Sequence, residues 1–148
     1  MFSSILVGTD GSETAQEAVR QATELAKQVG GRLHIVSAYV PVSQSRLRDE
    51  SKEVPADIAH TINPREDVEA ILASAADAAR EQGVEGVDTY AREGDPADAI
   101  LDVAEEEGVD LVVVGNKGMT GARRFLLGSV PNKISHHAPT SVMIIKTT

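Results

Sequence analysis

Short apolar runs rich in β-branched residues alternate along this chain with longer stretches whose apolar positions recur every three or four residues. Runs of the first kind predict buried strands, and stretches of the second kind predict helices that bury one face. Strands and helices in alternation are typical of a parallel sheet built from strand–helix–strand units, and so predict an α/β fold. The five predicted strands are Ile5 to Gly8, Leu33 to Ala38, Val87 to Ala91, Leu111 to Val114 and Val142 to Ile145.

Four helices are predicted between these strands, and each has a start or stop signal in the sequence. Glycine ends a helix readily because it adopts the left-handed conformation, whereas proline favours the first turn and is excluded from the interior. The predicted helices are Ala15 to Val29, ended by Gly30; Val68 to Ala79, ended near Gly83; one opened by Asp95-Pro96 and closed by Gly108; and Ser129 to His137, ended by Pro139.

The length of 148 residues is that of one typical domain, and we expect a single domain over residues 1–148. Cysteine is absent, which excludes disulfides, thiolate nucleophiles and Cys-ligated metals. The formal charge of −9 opposes binding to nucleic acid or to an anionic membrane. No apolar run reaches the ~20 residues of a membrane span, and the start of the chain lacks the basic region of a secretion signal. We therefore expect a cytoplasmic protein.

A glycine-rich stretch from Gly115 to Ser129 follows the fourth predicted strand directly. Open α/β sheets bind ligands at the carboxyl ends of their strands. Glycines there allow backbone amides to turn toward one anion, and Ser129 is placed to cap a helix whose positive end also favours anions. The stretch therefore predicts a phosphate-binding loop, and its glycines are Gly115, Gly118, Gly121 and Gly128.

Three basic residues, Lys117, Arg123 and Arg124, lie within this stretch of an acidic protein. They either offset the charge of a triphosphate or are ordinary solvated cations.

A second loop, with Thr9 and Asp10, leaves the first predicted strand and leads into the first helix. If the first and fourth strands are neighbours, this loop lies beside the glycine-rich stretch, and a ligand binds between them. Asp10 then either accepts hydroxyl groups of a ribose or holds a divalent cation such as Mg²⁺. The alternative is that Asp10 or Ser12 only caps the first helix.

Several common nucleotide-binding and catalytic motifs are missing from the positions where they would occur. No Gly-x-Gly-x-x-Gly follows the first strand, and no Gly-Lys-Ser/Thr sequence completes a Walker A loop. Ser129 belongs to no recognised nucleophile motif, and no paired-carboxylate signature is present. Binding is thus better supported than catalysis.

The spacing Gly115-x2-Gly118-x9-Gly128-Ser129 resembles the nucleotide-binding signature of the universal stress protein family, in its ATP-binding branch. The resemblance extends over the whole chain, from Val-Gly-Thr-Asp-Gly-Ser near the start to His-Ala-Pro-Thr-Ser-Val-Met-Ile-Ile-Lys at the end. It implies a five-stranded parallel sheet of order 3-2-1-4-5, ATP with Mg²⁺ as cofactors, and a homodimer formed through the last strand.

The same resemblance implies roles for individual residues. Asp10 would contact the ribose or the metal-bound phosphates, and the backbone of Ala38 would meet the adenine. Pro131 departs from expectation by removing an N–H from the first turn of the fourth helix. The residues that would surround the phosphates are Gly115, Gly118, Gly128, Ser129 and Val130.

The last strand, Ser141 to Ile145, would lie at an edge of such a sheet. An exposed apolar edge favours pairing with a second copy, unless helices and the tail cover it in a monomer.

The expected function is a nucleotide-dependent regulator of the stress response. Two other functions stay open: a slow ATP hydrolase, and a scaffold that recognises a partner through the segment from Tyr39 to Pro64. That segment has three prolines and no clear period, apart from a possible short helix around Ala56 to His60.

Overall fold

A parallel sheet flanked by helices makes up the described part of the chain, which is residues 2–40, 63–116 and 129–147 of a computed structural model. Strands and helices follow one another as the hydrophobic pattern predicts. The elements are β1 (Ser4–Gly8), α1 (Glu13–Val29), β2 (Arg32–Val40), β3 (Asn63–Pro64), α2 (Arg65–Glu81), β4 (Val87–Glu93), α3 (Pro96–Glu107), β5 (Leu111–Gly115), α4 (Ser129–His137) and β6 (Ser141–Ile145).

The five longer strands lie side by side in the order β4-β2-β1-β5-β6, and every pairing is parallel. Counted along the chain this is the order 3-2-1-4-5, so the expected architecture, with four helices, is confirmed. β3, which pairs with Tyr39 and Val40, is absent from the predicted strands. It has only two residues, which is too few for a hydrophobic period to show. The predicted helix around Ala56 to His60 lies outside the described residues.

Capping residues stand where the sequence predicts helix boundaries. The carboxylate of Asp95 accepts a hydrogen bond from the N–H of Asp98 at 3.0 Å, and Pro96 is the first residue of α3. Gly30 and Gly108 end α1 and α3 in the left-handed conformation, with φ of 68° and 61°. No described helix has both the length and the apolar content needed to cross a membrane.

The core consists of two aliphatic layers, one on each face of the sheet. Side chains alternate between the faces along a strand, so Ile5 and Val7 face α1 and α2 while Leu6 faces α3 and α4. β1 and β5 are therefore apolar from Ile5 to Val7 and from Leu111 to Val114, as parallel strands covered on both faces must be.

Asp110, which precedes β5, joins the amino ends of β1 and β5 by hydrogen bonds. Its carboxylate accepts hydrogen bonds from the N–H groups of Ser3 and Ser4, at 2.9 and 3.0 Å, and from the Ser3 hydroxyl at 3.0 Å. Partial burial raises the pKa of Asp110, but these hydrogen bonds outweigh it and hold the pKa below its ordinary value. The carboxylate thus stays charged and holds the two strands in register.

A polar cluster interrupts the apolar face beneath α3. His34 of β2 is only 4% exposed; its Nε2 lies 3.0 Å from the Ser4 hydroxyl and its Nδ1 lies 2.9 Å from the Tyr90 hydroxyl. Burial lowers the pKa of His34, against the attraction of the Asp88 carboxylate 4.0 Å away. Burial also raises the pKa of Tyr90 to about 12. The imidazole is therefore neutral in the folded protein near neutral pH.

We predict that His34 makes folding stability depend on pH. The folded state binds a proton on His34 less readily than the unfolded chain does. The stability that neutral His34 contributes is therefore complete above about pH 6.5, and it is lost as the pH falls through the lower folded-state pKa. Urea unfolding measured from about pH 5 to 8 should show a slope that His34→Gln reduces. Gln28→Ala, at an exposed position without a titratable group on α1, is the control and should leave the slope unchanged. An equal slope in the His34 variant would contradict the assignment.

Candidate functional site

The carboxyl ends of β1 and β5 lie next to each other at one edge of the sheet. The two strands pair in register from Ile5–Leu111 to Val7–Val113. From this edge α1 runs back along one face of the sheet, while α4, which precedes the next strand, lies on the other. This is the switch point at which open α/β sheets bind ligands. The condition for the two predicted loops to be neighbours is therefore met.

A small crevice of about 20 Å³ opens at this switch point. Its walls come from the ends of β1 and β5, the first turns of α1 and α4, and one side chain of α3. N–H groups in a first helical turn have no partner within the helix, and the helix dipole is positive there, so two such turns at one crevice favour an anion. The lining residues are Gly8, Thr14, Ala15, Ile100, Val114, Gly115 and Val130.

The loop that leaves β1 is held by its own side chains. The Thr9 hydroxyl accepts a hydrogen bond from the N–H of Gly11 at 3.1 Å, and the Asp10 carboxylate accepts one from the N–H of Ser12 at 2.9 Å. The Ser12 hydroxyl caps α1 by accepting from the N–H of Ala15 at 3.2 Å. Capping thus falls to Ser12, while Asp10 braces the backbone of the loop.

Two predicted site residues, Thr9 and Ala38, are buried. Thr9 is 1% exposed, its hydroxyl accepts from Gly11 within the loop, and it lines the groove between α1 and α2 and not the crevice. Ala38 lies on the face that packs against α3, past Val36, the last residue of β2 that pairs with β1. β2 continues to Val40, two residues beyond its predicted end.

Gly115, Ser129 and Val130 are the predicted phosphate-binding residues that the structure describes. Gly115 and Val130 line the crevice, and α4 begins at Ser129 itself. Pro131 is the third residue of α4, where an N–H would have no intrahelical partner, so this proline costs the helix no hydrogen bond. The other predicted members lie outside the described residues: Lys117, Gly118, Gly121, Arg123, Arg124 and Gly128.

Sequence reasoning missed the contact between Gly8 and Ile100 that shapes the floor of the crevice. A Cβ at position 8 would lie 2.5 Å from Cδ1 of Ile100, so α3 approaches β1 this closely because residue 8 has no side chain. The signal was present in the alternation of β1, which places Leu6 and Gly8 on the face of α3.

A larger groove of about 600 Å³ lies between α1 and α2, and much of its lining is small or aliphatic, as at Val19, Ile71 and Ala75. Two helix N-termini and two strand ends meet at the crevice, so we place the candidate site there. Within residues 2–40, 63–116 and 129–147, no three His, Asp or Glu side chains stand together as a ready cage for a metal ion.

Comparison with known proteins gives one consistent result. The family model of the Universal stress protein family matches residues 1–146. Universal stress protein YxiE of Bacillus subtilis is 36% identical over 150 residues, which cover 99% of this chain and 100% of that protein. Universal stress protein Rv1636 of Mycobacterium tuberculosis is 33% identical over 147 residues, which cover 99% and 98%. A solved universal stress protein in complex with cAMP is 31% identical, with a TM-score of 0.74 and coverage of 99% and 98%.

We predict that Gly8→Ala destabilises the protein by about 1–3 kcal/mol, because the added methyl group overpacks against Ile100. Ile100→Val removes the clashing Cδ1 and should recover part of that loss in the double variant. Ile134→Val, at an equally buried position in α4, is the control and should be additive with Gly8→Ala. Urea unfolding of the single and double variants measures both couplings. Additivity of Gly8→Ala with Ile100→Val would show that this contact does not shape the crevice.

Proposed function

Since the chain belongs to the universal stress protein family, we propose that it binds ATP with Mg²⁺ where β1 and β5 end, and that it acts as a nucleotide-dependent regulator in the stress response. The observation that carries this proposal is the meeting of two strand ends and two helix N-termini at one crevice. The relative solved with cAMP supports an adenine nucleotide as the ligand.

The phosphates are the part of the ligand that the local chemistry fits best. Gly115 ends β5 at the crevice and leaves room for close backbone approach, while the first turn of α4 brings N–H groups that have no partner within the helix. The crevice of about 20 Å³ is far smaller than the roughly 300–1,000 Å³ of ordinary ligand pockets. The proposal therefore relies on the stretch between Asn116 and Ser129, with Gly118, Gly121 and Gly128, for the rest of the phosphate contacts.

Charge balance requires cations at this site, because the protein carries a formal charge of −9 and a triphosphate adds more negative charge. Lys117 and Arg124 are the proposed side-chain contributors. Asp10 is a hard oxygen ligand of the type that Mg²⁺ prefers, and Mg²⁺ usually completes its shell with phosphates and water. One protein carboxylate is thus enough for the proposed metal.

Ala38 is the proposed neighbour of the adenine. It lies in the part of β2 that extends beyond β1, and among the described strands Ala38 itself pairs only with β4, through Arg92. The proposed cellular location is the cytoplasm.

We predict that Asp10→Asn weakens ATP–Mg²⁺ binding about tenfold or more, the loss expected for one charged contact. Asparagine retains an oxygen that can accept from the N–H of Ser12, so the loop keeps its shape while the charge is removed. Asp102→Asn, exposed on α3, is the matched control and should bind like the wild type. Isothermal titration calorimetry measures the affinities.

Repeating the titration with EDTA separates the two roles left open for Asp10. If Asp10 is a metal ligand, the difference in ATP affinity between Asp10→Asn and the wild type disappears without Mg²⁺. If Asp10 contacts the ribose, the difference remains. Wild-type protein that takes up no ATP would refute the proposed function. Equal affinities of the variant and the wild type in both buffers would remove Asp10 from the site.

The proposed partner is a second copy of the chain. β6 pairs with β5 and with no other described strand, so its outer backbone groups form an edge, and Ile144 is 39% exposed beside it. An apolar edge of this kind favours antiparallel pairing with the same strand of another molecule. The family resemblance points to the same strand.

We predict that the wild type is a dimer at micromolar concentration and that Ile144→Lys shifts it toward monomer, because a charge on an edge opposes strand pairing. Thr89→Lys places the same charge on an exposed position of β4, at the opposite edge, and should leave the dimer intact. Analytical ultracentrifugation checks both variants. A monomeric wild type, or a dimer that only Thr89→Lys disrupts, would contradict pairing through β6.

A further inference from the structure

We propose that Asn116 couples occupancy of the crevice to the edge strand β6 through a clamp on Thr147, an inference that rests on the proposed nucleotide site. Asn116 follows Gly115, a wall of the crevice, and Thr147 lies two residues past the end of β6. The clamp comprises Asn116, Thr147 and the hydrogen bonds between them.

The clamp is made by one amide oxygen that accepts twice. Oδ1 of Asn116 accepts from the backbone N–H of Thr147 at 2.9 Å and from the Thr147 hydroxyl at 3.1 Å. The backbone N–H of Asn116 donates to the carbonyl of Ile145 at 2.8 Å. An amide oxygen has two lone pairs, so both are used. Asn116 thereby fixes the chain on both sides of Lys146.

Thr147 also lies beside Gly115, a wall of the crevice. A Cβ built on Gly115 would lie 3.4 Å from Cγ2 of Thr147, and Gly115 pairs in register with Ile145. Ordering of Gly115 and Asn116 by a ligand is therefore transmitted to the end of β6 through direct contacts. Coupling of two sites through shared packed groups is reciprocal, so whatever orders β6 strengthens ligand binding equally.

A hydrogen bond at the other end of β6 allows coupling to the crevice to be distinguished from simple attachment of β6 to the sheet. The hydroxyl of Thr140 donates to the carbonyl of Asp110 at 2.9 Å, just before β6 begins. This bond holds β6 to the sheet but lies at the opposite end from the crevice. Thr140→Val is therefore a control that loosens β6 without touching the clamp.

Hydrogen exchange of the Thr147 amide, measured with and without ATP–Mg²⁺, tests the clamp directly. In the wild type we expect ATP to slow this exchange, and in Asn116→Ala we expect the slowing to disappear and ATP affinity to fall about fivefold or more. Thr140→Val should keep both the slowing and the affinity. Thr147→Val retains the hydrogen bond from the backbone N–H to Asn116 but loses the one from the hydroxyl. Its slowing of exchange by ATP and its ATP affinity should lie between those of Asn116→Ala and the wild type. Asn116→Asp retains the acceptor and should keep the Thr147 amide protected without ATP.

The outcomes distinguish this inference from the proposal beneath it. Wild-type protein that takes up no ATP overturns both. ATP uptake with no change in Thr147 exchange, or an ATP response that survives in Asn116→Ala, overturns the coupling alone. An equal loss of response in Thr140→Val reduces the clamp to ordinary attachment of the strand and also overturns it.

Discussion

The parallel pairing of β1 with β5 is the constraint on which the proposed site depends. It brings the loop with Thr9 and Asp10 and the residues that follow Gly115 to one edge of the sheet. Because α1 and α4 lie on opposite faces, their first turns approach this edge from both sides. The preference of the crevice for an anion follows from this topology, because it brings two helix N-termini to one place.

The strands and helices around the crevice pack on a core that is almost wholly aliphatic. Aromatic residues make up only 3% of the chain, so aliphatic side chains fill both layers of the core. Asp110 ties the amino ends of β1 and β5 through Ser3 and Ser4, and Gly8 allows Ile100 to fill the space beneath the crevice. The site thus lies at the carboxyl ends of two strands that Asp110 joins at their amino ends.

The sequence predicts the elements well because their signals are local. Period-two and period-three-to-four patterns locate the strands and helices, and residues such as Asp95 and Gly108 mark helix ends where the structure has them. Strand order came from the family resemblance, since a hydrophobic pattern does not say which strands are neighbours. The contact of Asn116 with Thr147 leaves no such signal, because it is set by packing and appears only once the chain is folded. The alternation of β1 places Gly8 on the face of α3, but only the folded structure brings Ile100 against it.

The sequence also does not show which of two neighbouring polar residues makes which hydrogen bond. Asp10 and Ser12 are both good helix caps, and only the geometry assigns capping to Ser12 and loop bracing to Asp10. The same geometry turns Thr9 inward, although it stands beside Asp10 in the predicted site.

A titration of ¹⁵N-labelled protein with ATP–Mg²⁺, followed by amide chemical shifts, tests most directly where the nucleotide binds. The account predicts that the largest changes fall on residues 8–12, 114–116 and 129–130, which surround the end of β1, the end of β5 and the start of α4. Changes confined to residues 16–24 and 70–82, which line the groove between α1 and α2, or no changes at saturating ATP, would contradict it.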